Sequence, residues 1–350
     1  MKRIIFLSIL AAMSLLPARM YAQEDTWLGK SLSAVGRFLD HRAKFGLDTT
    51  FLAAPKCGWM VSVTSSFAGV KPTVTGEDLP TYGDINIYMR SGLSGNLALA
   101  LGYRGFSVRY ALNFAKGYSR NLNLAYLGRS FGIEFRRYAT DGLHGYIDAS
   151  ATPKIAQVEK GDTRLRATII DGYYVFNCNH YSLPSAMGSG LIQKRSSGSV
   201  TAYGLYLNAD LTAQNEMLGA MLGGIKKIEI YQAALGLGYG YNYTPNGGRL
   251  LVHLSAAPMV VFFTRNFITA DVSFPLQDGS AYKTEILKSI EPKHRLFLTG
   301  IARASVIYNL NDHLDFSVNA LLNDVQFSST IDLKVGMKDW VVNGRVCVRF

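Results

Sequence analysis

The residues of this chain whose types and spacing bear on chemistry are mostly arginines. Arg90, Arg109, Arg136, Arg303, Arg345 and Arg349 each fall on the polar side of an alternating stretch, with Glu134, Asp210 and Asp315 among them. If those polar sides face one interior, the set forms a lining of fixed positive charge that lowers the barrier for small anions. Pairing with the interior acids, so that the same arginines fill the space, is the other reading, and residue types alone leave both open. A second candidate is His253 with Ser255, two apart on one strand face, a pairing that could serve as base and nucleophile. Two residues rise roughly 6.6 Å along a strand, too far for direct contact without a neighbouring strand, so polar filling is expected there and no enzymatic activity. No phosphate-binding glycine loop or zinc-spaced Cys or His cluster occurs, and no catalytic, cofactor or metal residues are predicted. Gly236, Gly238 and Gly240 alternate, which suits an inward strip where side chains or a plug come close rather than a nucleotide loop.

The elements that must position these residues show themselves by alternation. In the last strand Trp340, Val342, Val346, Val348 and Phe350 share one face, and Asn343, Arg345, Cys347 and Arg349 the other. Leu314, Phe316, Val318, Ala320 and Leu322 stand against Asp315, Ser317, Asn319 and Asn323; Phe106, Val108, Tyr110, Leu112 and Phe114 stand against Ser107, Arg109, Ala111 and Asn113. Elsewhere Leu251, Val261, Phe297, Ile301 and Ile307 dilute the polar face. Segments of about ten residues, repeated and separated by turn-rich breaks, are the pattern of a membrane barrel. Aromatics close many apolar faces (Tyr103, Phe114, Phe262, Tyr308, Trp340, Phe350), where girdle residues are expected.

The 34 Gly, 20 Tyr and 18 Phe, with 17% charged residues, suit aromatic-flanked strands better than helices. Lys2 and Arg3, an apolar core over 4–16 and the exit Met20-Tyr21-Ala22 predict a signal peptide over 1–22. Export to the Gram-negative envelope redirects the net charge of +11, lowered by three when Lys2, Arg3 and Arg19 are removed, away from nucleic acid. It points toward lipopolysaccharide phosphates or small anions. Residues 23–56 follow another rhythm: Trp27, Leu28, Leu32, Val35, Phe38 and Leu39 are spaced for one side of a short periplasmic helix. Of the three cysteines at least one is unpaired, and a Cys57–Cys347 bridge is disfavoured because the two lie on faces of opposite polarity.

The barrel, over 57–350, is expected to be all-β, antiparallel and up-and-down, with both termini on one side and an even strand number. Working back from Phe350, breaks alternate: 323–338 long, Asn311-Asp312 tight, 266–293 long, 245–247 tight, 212–224 long. Thirteen candidate strands result. Removing the weakest, 145–149, leaves twelve, and splitting 121–138 at Gly128 leads to fourteen; the expectation is about 12, with 10 or 14 as alternatives. The connection 181–199 is placed in the periplasm, and the final amphipathic strand ending in Phe350 is the expected signal to the barrel assembly machinery.

Four segments resemble a family of bacterial outer-membrane proteins catalogued as domain of unknown function 4421. They are Tyr103-Arg104-Gly105-Phe106, Gly128-Arg129-Ser130-Phe131-Gly132, Asp171-Gly172-Tyr173-Tyr174-Val175-Phe176-Asn177 and Ile192-Gln193-Lys194-Arg195-Ser196-Ser197-Gly198-Ser199. The resemblance implies an outer-membrane barrel and carries no activity or ligand residues. A porin-like narrow pore or structural barrel is the first expectation. A binding or assembly component acting through periplasmic segments is the second, and a lipid-modifying enzyme the third.

Overall fold

The computed structural model describes residues 46–79, 83–92, 94–113, 119–150, 152–188, 190–215, 218–219, 224–245, 247–275, 281–290, 297–328 and 333–350. The signal peptide expected over 1–22 and the helical spacing of Trp27 to Leu39 lie outside them. Residues from Asp48 to Phe350 form one compact unit.

Twelve strands close a ring. In chain order the barrel uses β2 (Trp59–Leu79), β4 (Ser94–Tyr103), β5 (Phe106–Asn113), β6 (Ser119–Leu127), β7 (Phe131–Thr140) and β10 (Thr163–Val175). It continues through β12 (Ser197–Ala213), β13 (Ile225–Tyr243), β14 (Leu250–Pro275), β16 (Phe297–Asn309), β17 (Leu314–Ser328) and β18 (Leu333–Arg349). Each pairs antiparallel with the next, and β18 closes on β2 from Arg349↔Met60 to Leu333↔Gly76. Closure leaves no open edge along the ring, so backbone N–H and C=O groups are paired without water. The chain does turn at Gly128, between β6 and β7, and 145–149 does form a strand, β8 (Leu143–Ala149). Yet β8 stays out of the ring. It pairs with β3 (Gly83–Ser91), which runs along the far half of β2 while β4 takes the near half. β9 (Thr152–Val158) extends that flap, and β15 (Ala281–Ile290) doubles the far end of β14. The short β1 (Leu52–Ala53) pairs with β11 (Ile192–Gln193) apart from the ring.

The mouth that holds Phe350 is here called proximal. The tight turns after Tyr243 and Asn309 lie there, as the alternation of breaks predicts, and so does the long connection from β10 to β12; at the other, distal mouth the connection from β7 to β10 is long and that from β17 to β18 short. The predicted long breaks 266–293 and 323–338 are shorter than expected, because β14 to β18 continue pairing through most of them.

Along each long strand the apolar face changes sides. On β2, Val63 and Phe67 are exposed outward while Ser62, Thr64 and Ser66 are buried; farther on, Val70 and Val74 are buried and Lys71 is exposed. On β18, Val348 and Val346 face out over buried Arg349 and Arg345, then Met337 and Val335 turn in beneath exposed Lys338 and Lys334. On β13, exposed Leu235, Leu237 and Tyr239 give way distally to buried Ile228 and Ile230. On β2 and β18 the pleat runs unbroken and the surroundings change, whereas β14 slips by one residue against β13 between Ala233 and Ala234. Proximally the outside is apolar, as lipid demands. Distally the outside carries exposed polar residues and the inside is an apolar core, walled in part by β3 and β8, in which Val70, Ile87, Leu143, Leu165, Leu207, Ile228, Met259 and Val335 pack together. Spanning a bilayer takes about 9–11 residues of strand. The 21 residues of β2 and 19 of β13 leave ample chain to project beyond it.

Aromatic rings mark the proximal rim. Trp59 packs on Tyr103 (4.8 Å), Phe106 on Tyr126 (4.5 Å) and Tyr126 on Phe131 (5.3 Å).

The inversion sets an expectation for lipid contact. In a background with the native tryptophans replaced by Phe, a Val63→Trp reporter is quenched by brominated lipid tails and a Lys71→Trp reporter is not. Equal quenching of both would place the lipid boundary elsewhere.

Candidate functional site

Five of the six predicted interior arginines point inward in the proximal half, and they meet there. Asp171 on β10 accepts from the Arg136 guanidinium of β7 (Nη2, 2.8 Å) and from Arg303 Nη2 of β16 (2.8 Å). Three strands separate β10 from β16 on the ring, so the Arg303 bond crosses the lumen. Arg303 also lies 3.7 Å from Glu134, whose other oxygen accepts from Asn123 (2.5 Å). A second cluster sits nearer the rim: Asp315, fully buried, accepts from Arg345 (2.7 Å) and pairs with Arg349 (2.6 Å). Arg109 reaches the same interior, and its Nε has no hydrogen-bond partner. Ions so far from water are tolerated only when paired and hydrogen-bonded; these clusters pair four of the arginines and hydrogen-bond three of them, Arg136, Arg303 and Arg345, to the acids.

Arg90 is a correction. It lies on β3, where Ile85, Ile87 and Met89 turn inward, so Arg90 is exposed on the outer side and donates to His144 (3.3 Å). Asp210 faces outward too, opposite buried Leu207 and Ala209. Both stand in the distal half, where the inversion makes the polar face the outer one.

The connection 181–199 lies at the proximal mouth, and its first part folds into the barrel. Tyr181 to Ala186 are all buried. Ser182 accepts from Ser185 N (3.1 Å) and caps the single-turn helix α1 (Leu183–Ala186), with Pro184 in its first turn. Barrel side chains then hold the turn by its carbonyls. Asn242 donates to Ser182 O (2.9 Å), Ser305 to Ala186 O (2.6 Å) and Arg345 to Gly188 O (2.7 Å). Gly188 has φ +72, and a Cβ there would run into the Arg345 guanidinium, so no other residue fits well. Ala186 packs with Leu251 and Ile307, which accounts for two of the apolar residues diluting the polar face; Val261 and Ile301 belong to the distal core. The Ser182 cap followed by Pro184, with Leu183, Ala186 and Met187 too apolar for a solvated loop, was the local signal of this plug.

Between plug and distal core lies a chamber of about 160 Å³, lined among others by Arg109, Glu134, Arg136, His253, Arg303 and Asp339. It has room for roughly five waters or one small molecule. Voids in the distal core are near 20 and 30 Å³.

His253 and Ser255 do touch. His253 Nε2 is 3.0 Å from Ser255 Oγ, and its Nδ1 is 2.8 Å from Asn242 Oδ1 on β13. The expected separation counted backbone rise and left out the length of the imidazole, which leans along the strand. Asn242 carried no signal, since only strand pairing brings it to His253. Gly240 meets the expectation of a close plug: a Cβ there would collide with the Tyr181 hydroxyl. The three cysteines are free thiols.

Residues 47–350 match the family described as Domain of unknown function (DUF4421). No curated protein matches the chain. Among solved structures it is similar to the outer membrane protease OmpT of Escherichia coli, at 6% identity over 87% of this chain and 99% of that one, with a TM-score of 0.38. It is also similar to the toluene transporter TodX of P. putida (11% identity, 85% and 91% covered, TM-score 0.25). A third is the transport unit of the autotransporter AIDA-I from Escherichia coli (11% identity, 91% and 97% covered, TM-score 0.31).

Asp315→Asn removes the carboxylate shared by Arg345 and Arg349. Leaving two buried guanidinium groups uncompensated is expected to cost about 3–5 kcal/mol, read as a lower urea midpoint for the refolded protein in detergent. An unchanged midpoint would mean that water reaches the cluster.

Proposed function

Since the chain belongs to the DUF4421 family, a family described without an activity, we propose from its own geometry that it is an outer-membrane barrel closed at rest: a structural or binding barrel and not an open anion channel. The observation that carries this reading is the Arg303–Asp171 bond across the lumen. An open anion path needs its arginines free to exchange partners, whereas four of these five are spent on fixed acids. The plug from Tyr181 to Gly188 on the proximal side and the apolar core on the distal side support it further. The outward apolar face of the proximal half supports an outer-membrane location, and export through the leader expected over 1–22 would deliver the chain there.

Two contacts with the envelope follow from the same surfaces. Val346, Val348 and Phe350 present an exposed apolar edge at the end of the final strand, which suits recognition by the assembly machinery. Just distal to the apolar face, Lys71 and Lys338 stand directly opposite one another on β2 and β18, both exposed. Two like charges so placed favour an anionic partner such as a lipopolysaccharide phosphate.

Planar-bilayer recording of the refolded chain tests closure. The expected record has no discrete conductance steps, although the protein is folded and heat-modifiable. Steady steps with an anion-selective reversal potential in a salt gradient would overturn the closed-barrel reading.

A further inference from the structure

The contacts around His253 form a chain whose hydrogen-bond directions can be worked out. Gln193 Nε2 faces two carbonyls, His180 O (2.5 Å) and Arg195 O (2.9 Å), so that end of the side chain must be the NH₂. Its oxygen therefore accepts from Ser182 N (3.0 Å) and Asn242 Nδ2 (3.0 Å). Asn242 Nδ2 also donates to Ser182 O, so both its hydrogens are used and its Oδ1 must be the atom facing His253. An oxygen facing Nδ1 at 2.8 Å requires the proton on Nδ1. In a neutral imidazole that leaves a lone pair on Nε2, aimed at Ser255 Oγ 3.0 Å away. This is the tautomer a general base needs, held by an orienting group in the manner of a Ser-His-Asp or Cys-His-Asn site.

We infer that Ser255, His253 and Asn242 form the nucleophile, base and orienting group of an acyl-transfer site that hydrolyses small esters admitted to the lumen chamber. Of the three, His253 lines that chamber, with Ser255 buried beside it rather than in its wall; the chamber's size limits the acyl group to a short chain. The Tyr181 hydroxyl is fully buried and has no hydrogen-bond partner, and it lies beside Ser255, since a side chain at Gly240 would meet both. An unspent donor next to the nucleophile is placed to stabilise a developing oxyanion.

In the acylation step Ser255 Oγ bonds to the ester carbonyl carbon and its proton passes to His253 Nε2. The tetrahedral intermediate expels the alcohol, which takes that proton from Nε2 as the C–O bond breaks. Water then attacks the acyl-serine and gives a proton to Nε2. The acid leaves, and Ser255 Oγ recovers the proton. Ester and water become acid and alcohol, with no other reactant. Ser255 and His253 are the catalytic residues; Asn242 and Gln193 are positioning residues.

The test uses the full-length folded protein. It is incubated with a fluorophosphonate, the adduct is mapped by mass spectrometry, and p-nitrophenyl acetate hydrolysis is followed alongside. One adduct on Ser255 is expected, with hydrolysis falling about 10²–10⁴-fold in His253→Ala. Asn242→Asp, which can still accept from Nδ1, is expected to retain hydrolysis with a shifted pH profile, whereas Asn242→Leu loses it; a merely structural role would not separate the two. Absence of an adduct on Ser255 in the folded wild-type protein overturns the proposal, as does hydrolysis that survives Ser255→Ala. If Ser255→Ala fails to fold, the wild-type adduct map alone decides.

Discussion

A strand that leaves lipid and continues into water must exchange its two faces, and the rest of this barrel follows from that constraint. The pleat fixes which residues point inward, and this cannot change without a bulge. What can change is the residue type at those positions. On β2 the inward series is Ser62, Thr64, Ser66, then Val70 and Val74; on β18, read from its end, it is Arg349, Arg345, Asn343, then Met337 and Val335. Inside the lipid band the lumen is left with the polar residues that lipid refuses. Beyond it, the lumen receives the apolar residues that water refuses.

Both halves must then be filled, and they are filled by different physics. The distal half closes as a hydrophobic core does, each buried Leu, Ile or Val contributing about 1.5–3 kcal/mol relative to exposure. The proximal half cannot do this. Four of its arginines are tied to Asp171, Glu134 and Asp315, Arg303 across the lumen, and Asn242, Ser305 and Arg345 grip the carbonyls of an inserted turn. The plug is thus more than a lid. Through Gln193 it fixes the amide of Asn242, and through Asn242 the tautomer of His253. Gln193 is fastened in turn by the β1–β11 pairing, with Leu52 opposite it.

Much of this was legible in the residues alone, and the failures share causes. Strict alternation reveals the barrel, and it puts Arg109, Arg136, Arg303, Arg345 and Arg349 on the strand face that the structure turns inward. Arg90 and Asp210 were misplaced because alternation was read as if one solvent bathed the whole strand. The dilution of the polar face by Val261, Ile301, Leu251 and Ile307, which looked like imperfection, was the imprint of the distal core and the plug. The inserted turn was missed because a long connection between strands resembles any other until its apolar content is weighed. Asn242 could not have been found, since it meets His253 only through strand register. Whether residues 23–45 form the expected helix lies outside the described residues.

The lumen-crossing bond is best tested by a double-mutant cycle between Arg303 and Asp171, using Arg303→Met, Asp171→Asn and the pair, with folding free energy measured by reversible urea titration in one detergent. If the two groups meet across a closed lumen, the single losses will fail to add, and the coupling energy will exceed about 1 kcal/mol. A coupling near zero, with both single variants close to wild type, would mean that water and mobile ions already separate the pair and that the lumen is open.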